Sequence, residues 1–229
     1  PIPMHIPDGF IDIPTSAAFA AIAAGAVALS LKGAKSSLDD KTAPLAGLTA
    51  TFIFAVQMLN FPVAAGTSGH LLGAALATVL VGPYAATLAI TIVLLLQALL
   101  FADGGLSALG LSVFNMSIVA VWVSYAIFLL VKKILPKTKS SVTAAAGVAA
   151  VISVPAAAAS FVLQYAIGAN ATFSVSSVLA AMVGTHILIG IGEALITVFA
   201  VGAVLASRSD LVYGYKNQKS SLEISISIN

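Results

Sequence analysis

Residues 84–102 read Tyr-Ala-Ala-Thr-Leu-Ala-Ile-Thr-Ile-Val-Leu-Leu-Leu-Gln-Ala-Leu-Leu-Phe-Ala, without one charged side chain. An uncharged apolar run of this length is what a helix needs to cross a hydrocarbon core about 30 Å thick. Outward from it the charges stay away. Residues 42–131 carry only Asp103, residues 13–31 carry none, and residues 140–207 carry only Glu193. Over the whole chain of 229 residues, 60% are apolar and 8% charged, with mean hydropathy +1.09. Soluble domains hold roughly 25% charged residues. The composition therefore excludes an ordinary soluble enzyme and predicts an all-α integral membrane protein, because a lipid-exposed backbone must satisfy its own polar groups in helices.

Taking about 17 to 25 residues per crossing, the pattern predicts seven transmembrane helices, near 15–31, 43–62, 69–82, 84–102, 107–131, 141–167 and 175–206. The third is short, roughly 20 Å at 1.5 Å per residue, so its start lies at a depth that a loop or cavity must reach. The seventh is overlong, and Gly184, Gly190 and Gly192 bend it or let a neighbour approach closely. Alternation across the membrane then assigns every loop. Lys32, Lys35, Lys41, Lys132, Lys133, Lys137, Lys139, Arg208, Lys216 and Lys219 all fall on one side. By the positive-inside rule that side is the cytoplasm, which puts the N-terminus outside and the C-terminus inside.

Some functions are excluded by what is missing. There is no cysteine, hence no disulfide, thiolate nucleophile or thiolate metal site. Ten Lys and Arg without a basic stripe argue against nucleic acid as a partner. No G-x-x-x-x-G-K-[ST] string occurs, so the chain carries no phosphate-cradling loop for ATP. The opening residues carry no basic n-region and reach Asp8 and Asp12 before any apolar run, unlike a cleavable signal.

Polar groups in a bilayer are costly and mark function. Of the three histidines, His5 lies in the N-terminal segment, His70 starts the short third helix and His186 lies in the seventh. His5 and His70 fall on the same outer side. Near them stand Gln57 and Asn60, then Gly66-Thr67-Ser68-Gly69, and Ser112 and Asn115, enough for one outward-facing polar pocket. Pro7-Asp8-Gly9 is a turn signal that can fold the N-terminal segment back into the bundle. His186 and Glu193, about two turns apart on one helix, are expected to pair and position the bundle. Two other functions fit single features. Gly66-Thr67-Ser68-Gly69 with His186 superficially matches an intramembrane serine protease, and Glu193 could serve the acid relay of a channel or secondary transporter.

The strings Met4-His5-Ile6-Pro7-Asp8-Gly9-Phe10, Gln57-Met58-Leu59-Asn60-Phe61-Pro62-Val63, Gly66-Thr67-Ser68-Gly69-His70-Leu71-Leu72-Gly73, Leu99-Leu100-Phe101-Ala102-Asp103-Gly104-Gly105, Phe114-Asn115-Met116 and His186-Ile187-Leu188-Ile189-Gly190-Ile191-Gly192-Glu193 resemble the NikM/CbiM family. These are the substrate-binding (S) components of nickel and cobalt energy-coupling-factor (ECF) transporters. The likeness runs from residue 4 to about residue 206. It implies seven helices with the N-terminal segment plugged into them, and a non-enzymatic role capturing Ni(II) or Co(II) at the prokaryotic cell membrane. The partners implied are a membrane coupling (T) subunit, two cytoplasmic ATPases and a small accessory membrane subunit. Helices one to three, rich in Ala, Gly and Ser, offer close-packing surface for the coupling subunit.

The resemblance also implies a ligand set. The amine of Met4, the amide nitrogen of His5 and the His5 imidazole form fused five- and six-membered chelate rings, and His70 takes the fourth position. An all-nitrogen planar set suits Ni(II). Asp8, Gln57, Asn60, Ser68, Asn115, His186 and Glu193 are expected to surround these ligands and orient them. The chain departs from the pattern in one respect: Pro1-Ile2-Pro3 precede Met4, which reads as a vector-derived scar and deprives Met4 of a free amine. The expected organisation is thus residues 1–3 as scar, 4–14 as metal-binding segment, 15–206 as seven-helix domain and 207–229 as cytoplasmic tail.

Overall fold

The computed structural model describes residues 5–40, 42–58, 60–62 and 68–216, with 60–62 and 68 described by backbone alone. Met4, the 63–67 loop and the tail beyond Lys216 lie outside the described residues.

Asp12 caps α1 (Ile13–Ser37), its side chain accepting from Thr15 N at 2.8 Å. That satisfies a backbone donor the first turn leaves orphaned. Asp39 and Thr42 hydrogen-bond reciprocally, Thr42 N to Asp39 Oδ1 at 2.7 Å and Asp39 N to Thr42 Oγ1 at 2.9 Å, turning the chain into α2 (Ala43–Gln57). Two short antiparallel strands follow, β1 (Asn60–Pro62) and β2 (Ser68–His70), in a register that puts Asn60 opposite His70. Next come α3 (Ala74–Val81) and α4 (Pro83–Phe101), separated by Gly82 at φ 86°. The following span, Leu109–Ile134, runs unbroken as α5 (Leu109–Ser112), a π-helical stretch Val113–Val119 and α6 (Ala120–Ile134). Two long helices finish the fold, α7 (Lys139–Gly168), with Pro155 inside it, and α8 (Val175–Arg208).

Every residue of α3 is buried, so it forms the axis of the bundle. A helix apolar all round has no other stable place. Around it α7 contributes Ala145, Ala146, Ala149 and Ala150, all fully buried, and meets α8 through Gly147, which faces Val198. Of the four α8 glycines only Gly190 marks a close approach: a Cβ there would stand 3.1 Å from the carbonyl oxygen of Val151, whereas Gly184 and Gly192 face open space and Gly202 has nothing nearer than Thr143 at 4.0 Å. Large apolar side chains point outward, among them Leu100, Leu188 and Phe199 at 70%, 70% and 75% exposure, as a lipid-facing belt requires.

The fold is an all-α multi-pass membrane bundle in which five helices are long and apolar enough to cross a bilayer: α1, α4, the 109–134 span, α7 and α8. The predicted second and third crossings are shorter than expected. The helix predicted over 43–62 ends at Gln57, and residues 60–62 pair as a strand; the helix predicted from 69 starts at Ala74. Eight residues make α3 only about 12 Å long. The physical reasons are local. Pro62 cannot donate to a helix or to a central ladder, and Gly73 at φ 75° reverses the chain just before α3.

Candidate metal centre

Three sets of contacts seat the N-terminal segment in one end of the bundle. Gly105 N donates to Ile6 O at 2.9 Å, and Ser107 N and Oγ both donate to Asp8 Oδ1. On the other side Asp12 N donates to Gly168 O at 2.7 Å, Asn170 N to Phe10 O at 3.1 Å and Asn170 Nδ2 to Gly9 O at 2.9 Å. Between these staples Phe10 stacks on Phe161 at 6.1 Å between ring centroids. The turn Gly104-Gly105 makes the seat possible. A Cβ on Gly104, itself at φ 91°, would lie 2.6 Å from His5 Cβ, and one on Gly105 would lie 2.3 Å from Asp8 N.

The segment delivers His5 into the bundle, where it is 6% exposed, with its ring 5.0 Å from that of His70. The rest of each ring is tied down. His5 Nε2 lies 3.1 Å from Gln97 Oε1 and 3.6 Å from Asp103 Oδ2. His70 Nδ1 lies 2.9 Å from Leu71 O. Carboxylate, amide and carbonyl oxygens only accept, so His5 carries its proton on Nε2 and His70 on Nδ1. The lone pairs are left on His5 Nδ1 and His70 Nε2. His5 Nδ1 is buried and has no partner among the described residues, an orphaned acceptor in need of a ligand. Burial holds the His5 imidazole down to about 4, against the raising bond to Gln97; burial, with the charge of His5, holds His70 down to about 3. Both rings are therefore neutral near pH 7, the form that binds metals.

Behind His70 the backbone is clamped. Glu193 Oε2 accepts from Leu72 N at 2.7 Å and Oε1 from Gly73 N at 3.0 Å, while Gln57 Nε2 donates to Leu72 O at 2.9 Å. Glu193 thereby caps α3 from a different helix, at the end where a helix favours negative charge. The expected His186–Glu193 pair does not form: His186 Nδ1 donates to Met182 O at 2.6 Å, one turn back in α8. Leu71, Leu72 and Gln57 are all buried within the bundle.

Other expected surroundings are placed elsewhere. Asp8 holds Ser107 rather than an imidazole, and that bond keeps its carboxyl below the usual range. Asn115 donates to Gln164 Oε1 at 2.8 Å and accepts from Ser160 Oγ at 2.6 Å, forming a buried polar bridge between the π-helical stretch and α7. His186 and Asn115 both line a cavity of about 410 Å³ that opens beside His5 and His70. Met4 and the side chains of Asn60 and Ser68 lie outside the described residues.

Sequence reasoning missed Gln97, Gln164 and the part of Asp103 beside His5. The signal was present: Gln97 is the lone amide in the apolar run 84–102, and a polar group there needs a partner. Among the described residues no cluster of three His, Asp or Glu side chains forms a cation cage.

Residues 5–211 match the family described as CbiM, cobalt uptake substrate-specific transmembrane region. The chain belongs to the CbiM family. It is 37% identical, over 92% of its length and 94% of the relative's, to a putative metal transport protein of Haloquadratum walsbyi. It is 36% identical over 91% of its length to a putative fused nickel transport protein, NikMN, of Archaeoglobus fulgidus, of which it covers 68%. A cobalt transport protein, CbiM, of Sorangium cellulosum is 33% identical over 91% of this chain and 94% of its own. A crystal structure of a truncated transition metal transporter superposes with TM-score 0.77 at 32% identity, over 89% of this chain and 99% of the other. This CbiM-family chain is thus one of a family of nickel and cobalt transport proteins, a transporter family and not an enzyme family. The protease reading of Ser68 and His186 falls with it.

Proposed function

We propose that the chain is the metal-capture S component of an ECF-type importer, taking Ni(II) or Co(II) from outside the cell. The observation that carries this is the His5–His70 pair: two buried neutral imidazoles 5.0 Å apart, each with its proton fixed on the nitrogen facing away. Such second hydrogen bonds fix the tautomer and raise the basicity of metal-binding histidines. In this reading His5 Nδ1 and His70 Nε2 are joined by the amine of Met4 and the amide nitrogen of His5, giving four nitrogens in a plane. That set favours nickel over cobalt by ligand geometry.

The proposed topology has seven crossings, α2 and α3 completing the five long helices, with the N-terminus outside. It is supported by the cytoplasmic ends. Lys132 Nζ donates to Gly214 O at 2.6 Å and Lys139 Nζ to Leu205 O at 2.9 Å, gathering the lysine-rich turn and the C-terminal end of α8 on one side. The chain has no ATP-binding string of its own. Import would therefore be driven by a coupling subunit with two cytoplasmic ATPases, a small accessory membrane subunit completing the assembly. A self-sufficient carrier using Glu193 as an acid relay is disfavoured, because both carboxylate oxygens are engaged by backbone N–H groups.

Isothermal titration with Ni(II) tests the reading on the chain trimmed to begin at Met4, beside the chain as it stands. The trimmed chain is expected to bind one ion, with His5→Ala and His70→Ala each abolishing binding; full affinity in either variant overturns the ligand set. Equal affinity of the two parent chains would show that the Met4 amine is not a ligand. X-ray absorption of the loaded protein should show four nitrogens in a plane.

A further inference from the structure

Glu193 holds the start of α3, and the chain's own continuation past α8 holds its finish. Immediately after α8 the backbone turns back onto the bundle. Leu211 N donates to Arg208 O at 3.0 Å, and Tyr215 N and Lys216 N both donate to Val212 O at 3.0 Å, closing a last helical turn. That turn seats Val212, fully buried, in the same apolar core as Val79 of α3. Two glycines set how closely it docks. The Tyr213 ring lies against Gly82, the residue that ends α3: a Cβ there would stand 3.0 Å from the ring. Gly214 lies between Phe128 and Val79, and a Cβ on it would stand 2.6 Å from the first and 3.2 Å from the second. Lys132 pins the turn from α6, its Nζ donating to Gly214 O at 2.6 Å while lying 5.1 Å above the Phe128 ring.

One helix and its extension thus grip α3 at both ends. Glu193 takes the amides of Leu72 and Gly73 at the start, and residues 212–214 take Val79 and Gly82 at the finish. With eight residues, all buried, α3 is about two turns of helix packed on every side. Interiors of that density transmit a displacement instead of absorbing it. We propose that residues 211–216 are a latch that positions His70 through α3, with Tyr213 and Gly214 as its positioning residues. Undocking the latch lets α3 shift along its axis. The 71–73 turn is continuous with the helix and moves with it, and His70 leaves the place in which its ring stands 5.0 Å from that of His5. On the proposed topology the latch lies at the cytoplasmic end, so a partner that takes hold of it there reaches His70 through one rigid helix. That consequence for metal release rests on the proposed function; the linkage itself does not.

Hydrogen exchange of single amides, read by NMR on the full chain in detergent, tests the linkage without metal. Tyr213→Ala and Lys132→Met should each raise exchange at Leu72 and Gly73 by about tenfold or more. The amides of Asp12 and Asn170, which hold the N-terminal segment and touch neither end of α3, should keep the parent's rate. Tyr213→Phe keeps a ring against Gly82 and should exchange like the parent. In the other direction Glu193→Ala should raise exchange at Gly82 and Tyr215, because an element biased from both ends reports at both. A rise confined to residues 209–216 overturns the latch by showing no transmission; a rise spread evenly through the bundle overturns it by showing lost stability alone. Nickel gives the separate test of the consequence. In the chain trimmed to begin at Met4 and loaded with Ni(II), Tyr213→Ala should speed release about tenfold. Exchange transmitted to Leu72 and Gly73 with nickel release unchanged overturns the placing of His70 on the metal while the latch stands.

Discussion

The His5–His70 pair has two unlike sides. Behind it polar groups are tied to one another: Gln97 Oε1 to His5, Leu71 O to His70, Glu193 and Gln57 Nε2 to the backbone of the 71–73 turn. In front lies an apolar cavity walled by Phe161, Met116 and Met182, in which hydrogen bonds are few. The dense side sets direction, because in a low-dielectric interior a satisfied polar network rigidifies what it holds. The open side sets access. A protein that must hold a cation firmly and still release it needs both, and separating them on opposite sides of the ligands lets each be tuned without the other.

That division makes changes on the dense side the costly ones. Gly105→Leu should be most damaging to capture, since even a Cβ there meets Asp8 N at 2.3 Å, backbone that cannot step aside. We expect nickel affinity to fall at least a hundredfold with the bundle still folded, read by titration and by proteolytic release of the N-terminal segment; unchanged affinity would mean that the seat of residues 5–12 is irrelevant to the metal. Glu193→Ala leaves the buried N–H groups of Leu72 and Gly73 without acceptors, at about 1–3 kcal/mol each. Its thermal unfolding in detergent should drop clearly, with Glu193→Gln intermediate because one carbonyl oxygen remains.

Gln97→Leu comes next. It frees the proton-bearing side of His5, and should lower nickel affinity by about 10- to 100-fold, the usual cost of losing an orienting partner. A loss of stability with no loss of affinity would assign Gln97 to packing alone. Acid provides a gentler probe of the same side. A released His5 takes its proton at the ordinary 6.5, a seated one only at about 4. Seating therefore keeps its full strength above pH 6.5 and loses it progressively down to pH 4, by roughly 3 kcal/mol in all. Hydrogen exchange of residues 5–12 against pH should show that window, and His5→Phe should flatten it. The smallest effect belongs to the open side: Met116→Leu, in the cavity lining, should leave equilibrium nickel affinity within about twofold. A large loss there would erase the distinction between the two sides.

Much of this was legible in the sequence. The uncharged blocks gave five of the crossings to within a few residues, because a bilayer leaves helices as the economical solution and charge exclusion marks their length. The two places where the reading ran long, residues 58–62 and 69–73, are where the chain leaves helix beside the site. Hydropathy could not see this, since a strand and a turn can be as apolar as a helix. Asn115, Gln57 and Glu193 stood out as polar residues in apolar surroundings, but their partners lie 49, 15 and 121 positions away. Spacing along one helix suggested pairing Glu193 with His186; the packing of α8 against α3 gave it two backbone amides in its place.

The sequence by itself determined the solvent, the class of fold and the chemistry of the donors. With two charged residues in its three long apolar blocks and no cysteine, the chain can offer little but imidazole and backbone nitrogen to a metal. Tertiary structure decided that the two rings meet and which nitrogen of His5 is engaged. His5 and His70 are 65 positions apart and meet because Gly104 and Gly105 admit the N-terminal segment and Glu193 fixes the turn after β2. The proton on the His5 ring is placed by Gln97, a contact that exists only once the bundle has closed, whereas that on His70 is placed by the carbonyl of the very next residue. Composition selects donor types because it is additive along the chain; the meeting of the two rings and the tautomer of His5 depend on partners brought together from distant positions, and so they belong to the folded state.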